Sequence, residues 1–226
     1  MKGTERNVPI FTIDRASPTS RFKAVIFDMD GTITEPVFDF EAIDREILEA
    51  TGLSGDIDTF PPDMREIAWE IIIRHERHAA GRQQIKPGTH DLLALCREAG
   101  VPCGLLTLNC REHVDALIRK FNLEFDIIIT REHPNPKPHP APVFEMTRRW
   151  GVTPAETLLV GDFIHDIQCG RNAGTATCFF RNPGCKDFSN EADLTVKSMK
   201  ELAAIIFKPS CAFLIDAPSL DFSKVD

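Results

Sequence analysis

The sequence predicts an α/β protein: a doubly wound parallel sheet with helices on both faces and a small helical segment inserted near its start. Three observations carry that prediction. Apolar runs of strand length alternate with stretches of helical period, which is the pattern of parallel strands joined by crossover helices. Two of those apolar runs end abruptly in carboxylates, something packing does not ask of a buried strand. About fifty residues separate the first strand from the Pro87-Gly88 turn, far more than one crossover helix needs.

Taken in order, the strands are expected at 23–27, 101–106, 125–130, 157–160, 176–180 and 193–196. Each is a mainly apolar run of strand length. Helices are expected at 89–99, 111–121, 142–150, 165–173 and 198–207, with Thr89 placed to cap a helix start and Gly100, Gly151 and Gly174 just past helix ends. Within the insert, Phe40, Ile43, Ile47 and Leu48 make one apolar face, and Met64, Ile67, Ala68, Ile71 and Ile72 make another. Two helices linked by 52–62 follow from that spacing. Both chain ends are rich in Pro, Ser and Asp and read as tails, although 8–13 has the composition of an edge strand.

The 226 residues suit one substantial core with an inserted subdomain. With 42% hydrophobic and 27% charged residues and no apolar run of spanning length, the composition is that of a soluble protein and not of a membrane protein. The mixed charges of the first twenty residues lack a signal-peptide layout, so a cytosolic location is expected. Seven cysteines without a C-x-x-C pair read as reduced structural thiols, not a zinc site. A formal charge of −8 without a basic cluster argues against nucleic acid as a partner.

The chemistry begins at Ala24-Val25-Ile26-Phe27-Asp28-Met29-Asp30-Gly31-Thr32. Two carboxylates this close repel each other, so a cation between them or a shared proton is implied. A calcium loop is excluded, because it needs glycine at its sixth position after a helix, whereas Gly31 is fourth and follows a strand. Leu158-Leu159-Val160-Gly161-Asp162 repeats the arrangement, with Asp166 a turn later. In a doubly wound sheet ligands bind beyond the carboxyl ends of the strands, where Asp28, Thr107, Lys137 and Asp162 would converge. Thr107 and Asn109 stand before a helix start, a favourable seat for phosphate, and Lys137 lies in a loop stiffened by prolines. Taken singly, Thr107 reads equally as a helix cap and Lys137 as a surface lysine.

Asp-Met-Asp-Gly-Thr at 28–32, Leu-Thr-Leu-Asn at 106–109, Pro-Lys-Pro-His-Pro at 136–140 and Gly-Asp-Phe-Ile-His-Asp at 161–166 resemble, in order, the four motifs of the haloacid dehalogenase superfamily. The resemblance covers roughly 22–207. It implies a Rossmann-like core formed by 21–35 and 87–207, a helical cap at 36–86, and tails at 1–20 and 208–226. It also implies a Mg2+-dependent phosphatase, similar to phosphoglycolate phosphatases, that acts on a small phosphorylated metabolite. By that similarity Asp28 is the nucleophile, Asp30 the general acid and base, Thr107 and Asn109 the phosphate seat, and Lys137 the charge that steadies nucleophile and phosphate. Asp162 is expected to ligate the metal with Asp28 and the backbone carbonyl of Asp30. Asp166 is expected to hold either the metal's waters or Lys137.

Dehalogenase relatives lack an acid where Asp30 stands, and phosphonate-cleaving relatives need a cap lysine, whereas no lysine lies between Lys23 and Lys86. Phosphomutases share all four motifs, and with a non-catalytic regulatory protein they are the competing readings. Arg45, Arg65, Arg74, Arg77 and Arg82 supply the cap's permanent cations, one of which could meet an acidic substrate group. His75 and His78 read as helix packing, and Arg111 as a residue of the pocket rim. A monomer or homodimer is expected.

Overall fold

A computed structural model describes residues 20–36, 40–55, 57–80 and 82–207. The expected strand at 8–13 and the segment from 208 onward lie outside them. In chain order the elements are β1 (Ala24–Phe27), α1 (Phe40–Thr51), α2 (Pro62–Ala80), α3 (Thr89–Glu98), β2 (Cys103–Leu106), α4 (Arg111–Phe121), β3 (Ile127–Ile129), α5 (Ala141–Trp150), β4 (Thr157–Gly161), α6 (Ile164–Ala173), β5 (Ala176–Phe180), β6 (Leu194–Val196) and α7 (Met199–Ile206). The six strands form one parallel sheet in the order β3-β2-β1-β4-β5-β6.

Strand order reverses between β1 and β4, whose register pairs Phe27 with Val160. Side chains alternate across β1: Val25 and Phe27 pack with Leu92, Val114 and Leu202 of α3, α4 and α7, whereas Ile26 packs with Val143, Met146 and Cys169 of α5 and α6. Both faces are therefore covered, and β1, β2 and β4 are buried at every position, as parallel central strands must be.

The differences from expectation have local causes. β2 starts two residues late because the Val101 N–H closes the end of α3 on the Cys96 carbonyl at 2.8 Å and Pro102 has no N–H to give. At α3 the cap is Gly88, with φ of 88°. Thr89 is instead the first helical residue, and its hydroxyl donates to the Lys86 carbonyl at 2.8 Å.

The insert is the expected helical pair. Ile43, Ile47, Phe60, Ala68 and Ile71 make its own small core. Leu48 departs from the expected face and is 48% exposed, because a residue next in sequence to Ile47 is rotated by about 100° on a helix of 3.6 residues per turn. His75 serves packing, as expected, by joining Glu46 across the two helices at 2.7 Å, beside the Arg74–Glu46 pair. The chain leaves and re-enters the sheet side by side, with Thr34 and Ile85 bridged antiparallel and the Lys86 N–H on the Ile33 carbonyl at 2.9 Å. Among the described residues, no helix is long and apolar enough to cross a membrane.

Candidate active site

The carboxyl ends of β1, β2 and β4 bring the polar residues together. Asp28 follows β1, and its N–H donates to the Val160 carbonyl at 2.8 Å, so the strand pairing itself sets Asp28 beside the end of β4. Asp162 follows β4, and Asp166 lies in the first turn of α6, where its carboxylate accepts from the Phe163 N–H at 3.1 Å. Carboxylate oxygens of Asp28, Asp162 and Asp166 lie within 4.8 Å of one another. Two glycines permit this crowding. At Gly31, with φ of 71°, a Cβ would collide with the Asp162 carboxylate, and at Gly161 it would collide with Asp166.

Lys137 reaches in from the proline-rich loop and is buried, donating to Asp28 at 2.6 Å and to Asp166 at 2.5 Å. The bond to Asp166 is one of the two roles expected of that residue. Burial opposes the Lys137 charge, yet the Asp166 and Asp28 carboxylates outweigh it and hold the lysine above its ordinary range. Burial raises the Asp28 carboxyl to about 7, with Lys137 pulling it down and Asp166 pushing it up. Burial, and then Asp28, Asp166 and Asp30, raises Asp162 to about 8. One ammonium does not satisfy this much clustered negative charge. Oxygen donors that crowd together and cannot all ionise comfortably fit a hard divalent cation.

Asp30 stands apart from that cluster. Its carboxylate accepts from the side-chain amides of Asn109 and Gln83, and from the Thr34 hydroxyl at 3.4 Å. Thr107 follows β2 and is buried, its hydroxyl accepting the Asn109 N–H at 3.1 Å and keeping its own proton to donate. The N-cap of α4 is Cys110, not Thr107. All seven sequence-selected residues line one cavity of about 760 Å³, roofed by apolar residues of the insert such as Ile43, Ile47 and Ile72.

The residues expected at the rim resolve one by one. Arg111 pairs along α4 with Asp115 at 2.8 Å, the neighbour four residues on, and does not line the cavity. Arg131 does, with its guanidinium 5.0 Å from the Trp69 ring. Of the insert's arginines Arg65 lines the cavity, whereas Arg74 is taken up by Glu46. The side chains of Arg77 and His78 lie outside the described residues.

Sequence reasoning missed three residues. Gln83 holds Asp30, and Asn182 donates to Asp162 at 3.0 Å while accepting from Lys86 at 2.7 Å. Asn182 could have been found, since it lies two residues beyond β5 at the same sheet edge. Gln83 and Lys86, on the return from the insert, carry no strand-end signal.

The sheet edge thus gathers a buried lysine and three clustered carboxylates beside Thr107 and Asn109, and the relatives that follow make the protein a hydrolase of phosphate esters. Residues 25–180 match the model of the haloacid dehalogenase-like hydrolases. This chain belongs to that family. A haloacid dehalogenase-like hydrolase domain-containing protein of Arabidopsis thaliana is 34% identical over 179 residues, 73% of each chain. An N-acetylmuramic acid 6-phosphate phosphatase of Pseudomonas aeruginosa is 26% identical over 220 residues, 84% of this chain and 97% of the relative. The crystal structure of a predicted phosphoglycolate phosphatase from Haemophilus somnus shares the fold, with a TM-score of 0.65 at 18% identity over 82% of this chain and 98% of that one.

Proposed function

We propose that this chain is a Mg2+-dependent phosphatase that hydrolyses a small phosphorylated metabolite through an aspartyl-phosphate on Asp28. The observation that carries the reading is Asp28 itself, gripped by Lys137 at 2.6 Å and crowded by Asp162 and Asp166 at the floor of a cavity. Asp28, Asp162 and the backbone carbonyl of Asp30 would hold the ion, with Asp166 behind them. Magnesium bound there supplies positive charge, which lets an anionic nucleophile approach an anionic phosphate.

The remaining roles belong to the chain's own groups. Thr107 and Asn109 seat the phosphate oxygens, Lys137 aims Asp28 and offsets its charge, and Asp28 attacks in line. Asp30 sits two residues away, held by Asn109 and Gln83. It protonates the leaving alkoxide and then takes the proton of the attacking water, dividing hydrolysis into two easier steps. The insert, 36–86, acts as the cap over the core of 21–35 and 87–207 and selects the metabolite. The protein works in the cytosol as a monomer or homodimer.

The test is a screen of the purified protein against phosphorylated metabolites with Mg2+ present and with excess chelator. Release of phosphate from at least one ester, abolished by chelation and restored by Mg2+, is expected. Turnover that survives excess chelator would remove the metal assignment, and failure on every ester would remove the phosphatase reading.

A further inference from the structure

Lys86 is a buried cation that the proposed chemistry leaves unused. It stands on the segment returning from the insert, just after the Thr34–Ile85 bridge, with its ammonium 4.8 Å from the Phe180 ring. Its ammonium donates to Glu35 at 3.0 Å and to Oδ1 of Asn182 at 2.7 Å. An ammonium has only protons to offer, so the Asn182 amide must turn its oxygen toward Lys86 and its NH2 the other way. That NH2 donates to the Gly31 carbonyl at 2.8 Å and to Oδ2 of Asp162 at 3.0 Å. Asn182 is itself buried, so Lys86 on one side and the Gly31 and Asp162 oxygens on the other fix which way its amide faces.

We infer that Lys86 and Asn182 are positioning residues for Mg2+: Lys86 sets the amide of Asn182, and Asn182 pins one oxygen of Asp162 and the turn carrying Asp30 so that the other Asp162 oxygen faces the cation. The inference rests on the metal-dependent phosphatase reading and extends it to two residues outside the four motifs. Without Lys86 the buried Asn182 oxygen loses its donor, and the amide is held from the Gly31 and Asp162 side alone.

The sign of the effect separates positioning from simple electrostatics. Lys86 is a positive charge near a cation site, so removing it should tighten Mg2+ binding if Coulomb repulsion were all that mattered. Positioning demands the opposite. Loss of a partner that orients a metal ligand typically weakens metal affinity by roughly 10- to 100-fold.

Calorimetric titration of the metal-free protein with MgCl2 reads this without reference to turnover. Lys86→Met keeps the stem that packs on Phe180, and Asn182→Ala removes the amide. Each should raise the Mg2+ Kd by about 10-fold or more, and the double variant should be no weaker than Asn182→Ala alone, because the two act through one chain. Lys86→Arg, which keeps a cationic donor toward Asn182, should recover most of the affinity. Thermal melts of the metal-free variants check folding, and if Lys86→Met does not fold, Asn182→Ala decides alone. Unchanged or tighter Mg2+ binding by a folded variant overturns the inference while leaving the phosphatase reading intact. A wild-type protein that binds no Mg2+ overturns both.

Discussion

At the sheet's carboxyl edge Lys137 is 6% exposed and divides itself between two buried carboxylates, whereas in the insert Arg74, Glu46 and His75 hold one another at the surface. The sheet edge is built from short bonds between groups that have lost their water, where each partner is costly to remove. The insert presents Ile43, Ile47 and Ile72 to the same cavity beside Asp44 and Arg65, and at its apolar positions one residue can replace another without stranding a charge. Transfer chemistry needs fixed charges in a low-dielectric setting. Selection needs a surface that tolerates exchange.

The largest expected effect breaks the sheet-edge side of this contrast. Asp28→Asn keeps size and shape but removes the nucleophile, and turnover should fall by roughly 10⁴- to 10⁶-fold, the range seen when a covalent nucleophile is deleted. Mass spectrometry of quenched enzyme should find no phosphorylated species. Residual turnover within tenfold of wild type would mean that water attacks directly.

Asp30→Asn should cost less, about 10²- to 10⁴-fold on alkyl phosphates, the usual worth of a positioned proton transfer. An aryl phosphate such as p-nitrophenyl phosphate leaves without a proton, so a burst of nitrophenol followed by slow turnover is expected in stopped flow. Equal defects on aryl and alkyl esters with no burst would reassign Asp30 to a structural role.

Smaller again, and reversible, is the dependence on pH. Asp28 and Asp162 rise in the fold from 3.8 to about 7 and about 8. The folded state therefore holds these protons more tightly than the unfolded chain does. Their contribution to metal-free stability is complete below 3.8 and is lost as pH climbs to about 8. Melting of the metal-free protein should fall across that window, while the protein saturated with Mg2+ should hold steady, since the ion takes the protons' place. A metal-free melting temperature that rises from pH 5 to pH 8 would contradict the crowding of these carboxylates.

The contrast also explains what was legible in the sequence. Strand-end chemistry shows in a linear reading because a buried strand that stops at Asp28 or Asp162 breaks its own apolar pattern. The chain order of β1, β2 and β4 then places those ends together without knowledge of any side-chain contact. Gln83 and Lys86 break no pattern. They matter because the chain's return from the insert lies beside its exit, through the Thr34–Ile85 bridge, a pairing that periodicity does not encode. Arg111 was misplaced for a related reason: its distance from Asn109 along the chain was right, but the helical turn points it at Asp115.

The smallest effect tests the insert's side of the contrast. Trp69 of α2 lines the cavity, and the Arg131 guanidinium lies 5.0 Å from its ring, so an insert residue and a core-loop residue together form part of the wall above the carboxylates. Trp69→Ala removes that stacking, worth about 0.5–2 kcal/mol, and opens the wall. For the best ester found in a metabolite screen, kcat/KM should fall by roughly 2- to 30-fold, the same range converted at 1.4 kcal/mol per decade. Acetyl phosphate, which offers little beyond its phosphoryl group for the insert to contact, should lose much less, and the ratio of the two losses is the quantity to measure. Selection by the insert requires that ratio to exceed one by a clear margin. Equal losses on both esters, with Mg2+ affinity unchanged, would show that the insert supports the core's geometry, and the division of labour between the two regions would have to be given up.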